Sequence, residues 1–462
     1  MRVLLIAYDN GSYIHWFPMG LSYIAAALRN AGHDITIYSQ DKYHYPDEHL
    51  THYLDKNKFD MVAVGVIAGY YQYRKLLSIS CAVNASRQRP FYVIGGHGPT
   101  PEPGFFLKKT RADAVVLGEG DISVVNLAYA VENKKPLEDV KGIAFREGDA
   151  VTVNEREELV PDIDTLPFPA YDLFPIDYYR LLQVARSTKL DFVMPMVSGR
   201  GCPFKCAFCY RMDEGHRVRK NDSIIEEMKL LKKDYGITYI AFGDELLMSS
   251  VERVSSLCES FIKEKLNMTW YCNGRLNYAK PELLKLMSRA GCVFINYGIE
   301  ALDDEVLRKM NKVLTVSQIV KGIEATLAAG VSPGFNIIFG NVGDNLETLD
   351  KGVKFLIKYD DGSQMRTIRP VTPYPGSPLY YKALEEGLLK DCEDFYENKH
   401  VNSDLLAVNF TELSDDEFHH GLYEANTRLI ENYFSKRSCS VKKQAEDLYR
   451  RKDVSFRGFR QT

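Results

Sequence analysis

Three cysteines, Cys202, Cys206 and Cys209, fall within the stretch GRGCPFKCAFCY at 199–210. Thiolates set this close together suit a soft metal centre. A structural zinc site takes four ligands, often two C-x-x-C pairs. Only one such pair is present here, with one further cysteine upstream and His216 as a conceivable fourth ligand. An iron–sulfur cluster is also held by thiolates, and three suffice when one iron is left to an outside ligand. The pattern ranks a cluster above zinc and zinc above chance. Cys81, Cys258, Cys272, Cys292, Cys392 and Cys439 read as buried or incidental thiols, and an odd, scattered cysteine set points to a reducing compartment.

The residues around the triad must place it. Between 191 and 380 the runs FVMPMV, ITYIAF, MTWYCN, CVFINYGI, SPGFNIIF and QMRTIRP read as strands. Helical stretches separate most of them, among them DSIIEEMKLLKKDYG with Asp222 as N-cap. Such alternation predicts an open or partial α/β barrel, with the triad in a loop after its first strand, at the end where barrel active sites gather. Residues 1–135 alternate in the same way: RVLLIAY, DITIYS, MVAVGVI, FYVIGG and DAVVLGEG are apolar enough to be buried on both faces. GLSYIAAALRNAG is a helix with Gly32 at its end. This is a doubly wound parallel sheet, and five strands suit a flavodoxin-like order.

Ligands of such sheets bind beyond the carboxyl ends of the strands. Those ends carry Asn10 and Gly11 in DNGS, Gly65 and Gly69 in GVIAG, Gly95, Gly96 and Gly98 in GGHG, and Gly118, Glu119 and Gly120 in GEGD. Any one of these could be a tight turn; glycine on four turns of one edge favours a large flat ligand. Neither G-x-G-x-x-G nor G-x-x-x-x-G-K-[ST] occurs. Residues 136–190 form a connector, with a hairpin pattern in GIAFREGDAVTVNE and an extended run punctuated by Pro161, Pro167, Pro169 and Pro175. Residues 381–462 are polar and helical in pattern, and FHHGLYEANTRLIENYF, with His419 and His420, reads as a helix capping the barrel.

C-x-x-x-C-x-x-C with Phe208 before its last cysteine resembles the signature of the radical S-adenosylmethionine (SAM) enzymes. The resemblance implies a [4Fe–4S] cluster whose open iron chelates SAM, which one electron cleaves to a 5′-deoxyadenosyl radical. FGDE at 242–245, with Gly243, Asp244 and Glu245, resembles the motif that binds the SAM amino group. YGIEA at 297–301 resembles the strand end whose carboxylate, here Glu300, contacts SAM. SPGFNIIFGNVGDNLET at 332–348, with Asn336 and Gly340, resembles the strand and turn that pack on the adenine. TPYPGSPLY at 372–380 is similar to a segment near the end of this barrel. A zwitterionic methionine also needs a donor for its carboxylate, and Arg275 is expected there. Singly, Asp244 and Glu245 would suit a helix cap, Glu300 a surface carboxylate and Arg275 an ion pair.

WFPMGLSYIAAALRNAGHDITIYSQD, VIGGHGPTPEP and VVLGEGD resemble the cobalamin-binding domain that precedes the barrel in one subclass of the same family. The flat ligand is then a corrinoid. The cobalt-binding D-x-H-x-x-G motif is absent, as is common in this subclass. His97 is the histidine nearest the ligand edge, with packing or hydrogen bonding favoured over ligation, and Tyr70 and Tyr71 could border the corrin. The resemblance implies C-methylation of an unactivated carbon: the radical removes hydrogen and methylcobalamin delivers methyl. Alternatives are a cyclase or rearrangement enzyme of the same architecture, or a non-catalytic corrinoid carrier. A methylthiotransferase would carry further cysteines near its N-terminus, where residues 1–150 hold only Cys81. Tyr374 and Arg369 are substrate-site candidates.

The chain has 462 residues, 45% hydrophobic and 26% charged, with net charge −4. That balance fits two or three globular domains and offers no electrostatic case for nucleic acid. The basic run from Lys436 to Arg460 reads as a solvated helical face. No apolar run is long enough to span a bilayer, and VLLIAY is too short for a signal-peptide core, which suggests the cytoplasm. Expected partners are a small-molecule or peptide substrate and an electron donor such as flavodoxin or ferredoxin.

Overall fold

The computed structural model describes residues 1–12, 14–455 and 459. Near the N-terminus, β1 (Arg2–Ala7), β2 (Asp34–Ser39), β3 (Met61–Gly65), β4 (Phe91–Gly95) and β5 (Ala114–Val116) pair in parallel in the order β2-β1-β3-β4-β5. From Val3 to Ala7 every residue of β1 is buried, as a central strand with helices on both faces requires. The helix Met19–Asn30 stops where Gly32 takes φ +89°. The hairpin expected in the connector forms as β6 (Ile143–Glu147) and β7 (Ala150–Val153). It pairs antiparallel onto β5 and extends the sheet to seven strands.

The second sheet holds β8 (Val193–Met196) at one edge. After the small hairpin of β9 (Gly199–Gly201) and β10 (His216–Val218) come β11 (Tyr239–Phe242), β12 (Thr269–Gly274), β13 (Cys292–Glu300), β14 (Ser332–Phe339) and β15 (Arg369–Pro370). All six strands run parallel in the order β15-β14-β13-β12-β11-β8, so the half-barrel stays open between β8 and β15. Of QMRTIRP, only Arg369 and Pro370 join the ladder. Asp222 is not the N-cap of its helix. The helix Asn221–Tyr235 starts two residues earlier, with Lys220 as its N-cap, and Asp164 of the connector accepts the Lys220 N–H at 2.8 Å and serves that end from outside.

The proline-rich run staples the two sheets together. Phe17, in the loop after β1, packs on Tyr171 at 5.3 Å, Phe174 at 5.2 Å and Tyr179 at 5.4 Å. The Tyr171 hydroxyl donates to Glu227 at 2.6 Å, and Tyr179 donates to buried Asp41. One hydrophobic core therefore runs through both halves. The C-terminal region also crosses between them. Tyr396 stacks on Phe105 at 5.9 Å, Lys109 pairs with Glu393 at 2.7 Å, and the helix Asp415–Tyr449 seats Phe418 on Phe339 at 4.8 Å. The buried residues of that helix end at Leu429, and the basic run beyond it is exposed as far as it is described; Arg457 and Arg460 lie outside the described residues. No helix among the described residues is long and apolar enough to cross a membrane.

Candidate functional site

The cysteines occupy the loop between β9 and β10, beyond the end of β8. That loop is pinned from two sides. Ala207 N–H donates to Met310 O at 2.9 Å and Asn311 donates to Lys205 O at 2.7 Å. The Ala207 carbonyl accepts from Leu379 N–H at 2.9 Å, and a turn joins Cys209 N–H to Cys206 O at 3.2 Å. Cys206 is buried, Cys202 half-buried and Cys209 exposed. His216 sits in the β10 ladder opposite Gly201. Among the described residues no three or more His, Cys, Asp or Glu are gathered tightly enough to hold one metal ion, the cysteine triad with or without His216 included.

The electrostatics around the thiols favour cationic iron. Cys202 is held above the usual thiol range by desolvation first and by Glu245 and Cys206 next, with Arg275 opposing. Cys209 is accessible yet walled by protein, and is pushed up to about 12 by desolvation, then by Cys206, Glu245 and Cys202. Thiols such as Cys202 and Cys209 that resist ionising on their own become good ligands once a cationic core offsets their charge. Arg275 supplies further positive charge: buried, it lies over the Phe204 ring at 3.5 Å with Nη1 4.0 Å from Cys206 Sγ, and its Nε is a buried orphan.

The expected SAM ligands separate into different roles. The Asp244 carboxylate is committed: it accepts from Ser198 N–H at 2.6 Å and from the Ser198 hydroxyl, with Arg253 at 3.8 Å. Glu245 is free of any ion pair or hydrogen bond among the described residues and is raised by desolvation first, then by Glu119. The Glu245 side chain is exposed at the end of β11. Glu300, at φ +69° where β13 slips register, pairs with buried Lys312 at 2.8 Å, and Lys312 lies 5.6 Å over the Phe208 ring. A side chain on Gly298 would reach within 2.4 Å of the Glu300 carboxylate, so this packing needs glycine there. Asn336 donates to Asn296 at 3.1 Å, Asn296 to Asn273 at 3.1 Å, and Asn273 to the Asp244 carbonyl at 2.7 Å. This amide ladder crosses three strands, and the sequence singled out only Asn336. Gly243 is exposed at the end of β11, whereas the space a Gly340 side chain would take is filled by Phe418 at 2.8 Å.

The glycines of the first sheet divide in the same way. Gly96 sits at φ +94°, and a side-chain carbon there would stand 2.5 Å from Val66 O; at Gly98 it would stand 3.2 Å from Ile67 O, and at Gly95 3.4 Å from Val116 O. Their bareness serves backbone packing between neighbouring loops. Gly118 makes room for Arg156 and Asp213, and Gly120 for Ile24 and Val116. A side-chain carbon added at Gly11 would meet nothing within 4 Å, one at Gly65 only a carbonyl at 3.9 Å, and one at Gly69 just the flexible Gln72 side chain. Asn10 lies near the Tyr8 hydroxyl. Tyr70 is half-buried, and the same edge exposes Tyr71, Trp16 and Ile67, each more than half accessible at 59%, 51% and 56%. Apolar surface left open on a ligand edge fits a flat, largely apolar macrocycle. Trp16 and Ile67 escaped the sequence reading, although large apolar residues in loops leaving strands were the available signal.

Glu119 and His97 face the cysteine loop. Glu119 bonds Arg200 of β9 at 2.8 Å and Arg217 of β10, and its N–H donates to Asp213 at 2.9 Å. Asp121 takes the same Arg200 at 2.7 Å. His97 lies edge-on to Tyr210 at 6.1 Å, and burial lowers its pKa. Arg369 is exposed and paired with Asp404 at 3.0 Å; Tyr374 packs against His400 at 5.4 Å.

The radical SAM superfamily model matches residues 196–356 and the B12 binding domain model residues 12–128. An uncharacterized methyltransferase of Pyrococcus horikoshii is 27% identical over 379 residues, covering 80% of this chain and 79% of that protein. The anaerobic magnesium-protoporphyrin IX monomethyl ester cyclase of Rubrivivax gelatinosus is 25% identical over 411 residues, covering 86% and 72%. In fold, the chain is similar to the radical SAM methyltransferase TsrM of Kitasatospora setae, solved with cobalamin and a [4Fe-4S] cluster, at TM-score 0.69 and 17% identity over 83% of this chain and 78% of that one. With both domains matched in this order and the thiol loop and open strand edge facing each other, the chain belongs to the cobalamin-dependent radical SAM enzymes.

Proposed function

We propose that this enzyme methylates an unactivated carbon of a small molecule or peptide. One observation carries the reading. Glu119 and Asp121, in the loop after β5 of the corrinoid domain, are gripped by Arg200 and Arg217 of the very hairpin that carries the cysteines. Two cofactor sites held across one boundary suit a reaction that uses both at the same carbon. When bound, the cluster and SAM supply a hydrogen-abstracting radical, and the corrinoid supplies methyl.

The chain's own residues do the positioning. Cys202, Cys206 and Cys209 would hold the cluster, and Glu245 would take the SAM ammonium. The asparagine ladder presents amides along the barrel wall, and Gly11, Gly65, Trp16, Ile67 and Tyr71 would border the corrin. Gly340 serves Phe418 packing, and Gly96 and Gly98 serve backbone approach. Tyr374 and Arg369 stay candidates for the substrate side. A one-electron donor of the flavodoxin or ferredoxin type and a reducing, cytoplasmic setting complete the reading, and a net charge of −4 offers no purchase for nucleic acid. A second reading, ring closure without methyl transfer, draws on the likeness to the porphyrin ester cyclase. Methyl-deuterated SAM, fed with host extract to the anaerobically reconstituted protein, separates the two. Methylation puts the label in a product; a product of changed mass without label establishes cyclisation instead.

A further inference from the structure

Arg275, at the end of β12, is 5% exposed. Its guanidinium stacks on Phe204 at 3.5 Å, Nη1 lies 4.0 Å from Cys206 Sγ, and Nη2 donates to Val313 O at 3.3 Å. Nε is buried with no partner. The other buried arginines among the described residues each have a carboxylate: Arg219 has Glu227 and Arg366 has Asp361. Arg275 has none among the described residues. A buried guanidinium left without an anion is costly, so an anion belongs beside it.

The nearest candidate is the thiolate side of the metal site. A cluster core on three thiolates is anionic when oxidised and gains one further negative charge when an electron arrives from a low-potential donor outside the chain. A fixed cation in a low-dielectric setting favours the more negative state. Phe204, inside the cysteine loop, holds the guanidinium plane in place by stacking, which an ammonium cannot match.

We propose that Arg275 is the built-in counter-charge of the iron–sulfur cluster, a positioning residue that raises its reduction potential, and not the donor for the SAM carboxylate. The proposal rests on the cluster reading above. It assigns the SAM carboxylate to another donor and makes Phe204 a partner of Arg275 with no ligand contact of its own.

The test is a redox titration followed by electron paramagnetic resonance, on the anaerobically reconstituted full chain without SAM. For Arg275→Gln the reduced-to-oxidised ratio at a fixed potential is expected to fall about tenfold, which is 59 mV for one electron. For Arg275→Lys, which keeps charge but loses the stack, the expected fall is about threefold by the same relation. SAM affinity of the loaded variants should change less than the ratio does. Unchanged ratios in both variants, with SAM binding weakened, overturn the proposal and return Arg275 to the SAM carboxylate. If Arg275→Gln holds no iron, Arg275→Lys decides alone, and a ratio equal to that of the parent overturns the proposal. A parent chain that binds no iron overturns the cluster reading itself; a parent with a cluster indifferent to both substitutions overturns this proposal only.

Discussion

Lys312 and Glu300 show how one residue's partner decides its role. Both are buried and face each other at 2.8 Å. Lys312→Met strands a buried carboxylate and should destabilise the fold by about 3 kcal/mol, read as a lowered urea midpoint at unchanged slope. Glu245 is the opposite case, an exposed carboxylate with no ion pair or hydrogen bond among the described residues. Glu245→Gln should weaken SAM binding about tenfold, about one charge-assisted hydrogen bond, with the urea midpoint unmoved; equal SAM affinity would leave the ammonium without its acceptor. That the cysteines lie in a loop beyond β8 and the carboxylates at the ends of β11 and β13 was legible in the sequence because motif spacing is local. That Asp244 is consumed by Ser198, and that Arg275 meets Cys206 and no carboxylate, was not legible. Those partners come from strands and loops far along the chain.

At the scale of elements, the parallel strands of the first sheet and of the half-barrel were readable from alternating apolar runs, since a strand buried on both faces leaves a continuous signature; the order β2-β1-β3-β4-β5 matches the flavodoxin-like one that five strands suit, but the runs themselves do not encode it. The extent of the first sheet was not. The period-2 pattern announced β6 and β7 as a hairpin but not which edge they would join. The glycine-rich turns likewise looked alike in sequence and differ in the fold. Gly65→Val should lower corrinoid content with little effect on cluster iron, because only a carbonyl at 3.9 Å stands nearby. Gly96→Val should lose both, since φ is +94° and Val66 O stands 2.5 Å from the new carbon, strain of about 2 kcal/mol before the clash is counted. Corrinoid absorbance and iron content, measured on the same samples, separate the two outcomes.

Across the whole molecule, the two sheets behave as one unit. The Phe17–Tyr171–Tyr179 staple, the Tyr171–Glu227 hydrogen bond and the clasp of Arg200 and Arg217 on Glu119 together join them. Glu119 looked like a ligand residue in sequence because it lies in a glycine turn on the ligand edge; the clasp that occupies it is set by the cysteine hairpin. Glu119→Gln should therefore retain corrinoid while limited proteolysis of the connector speeds up several-fold. Corrinoid loss with unchanged proteolysis would return Glu119 to the ligand.

The cysteine loop is where these scales meet. The most direct measurement is 5′-deoxyadenosine formed from SAM by the reduced, anaerobically reconstituted chain, beside its Cys206→Ala variant. The account predicts steady formation by the parent and none by the variant, with corrinoid retained in both. An iron-loaded parent that leaves SAM intact, or a variant that cleaves it equally well, would contradict it.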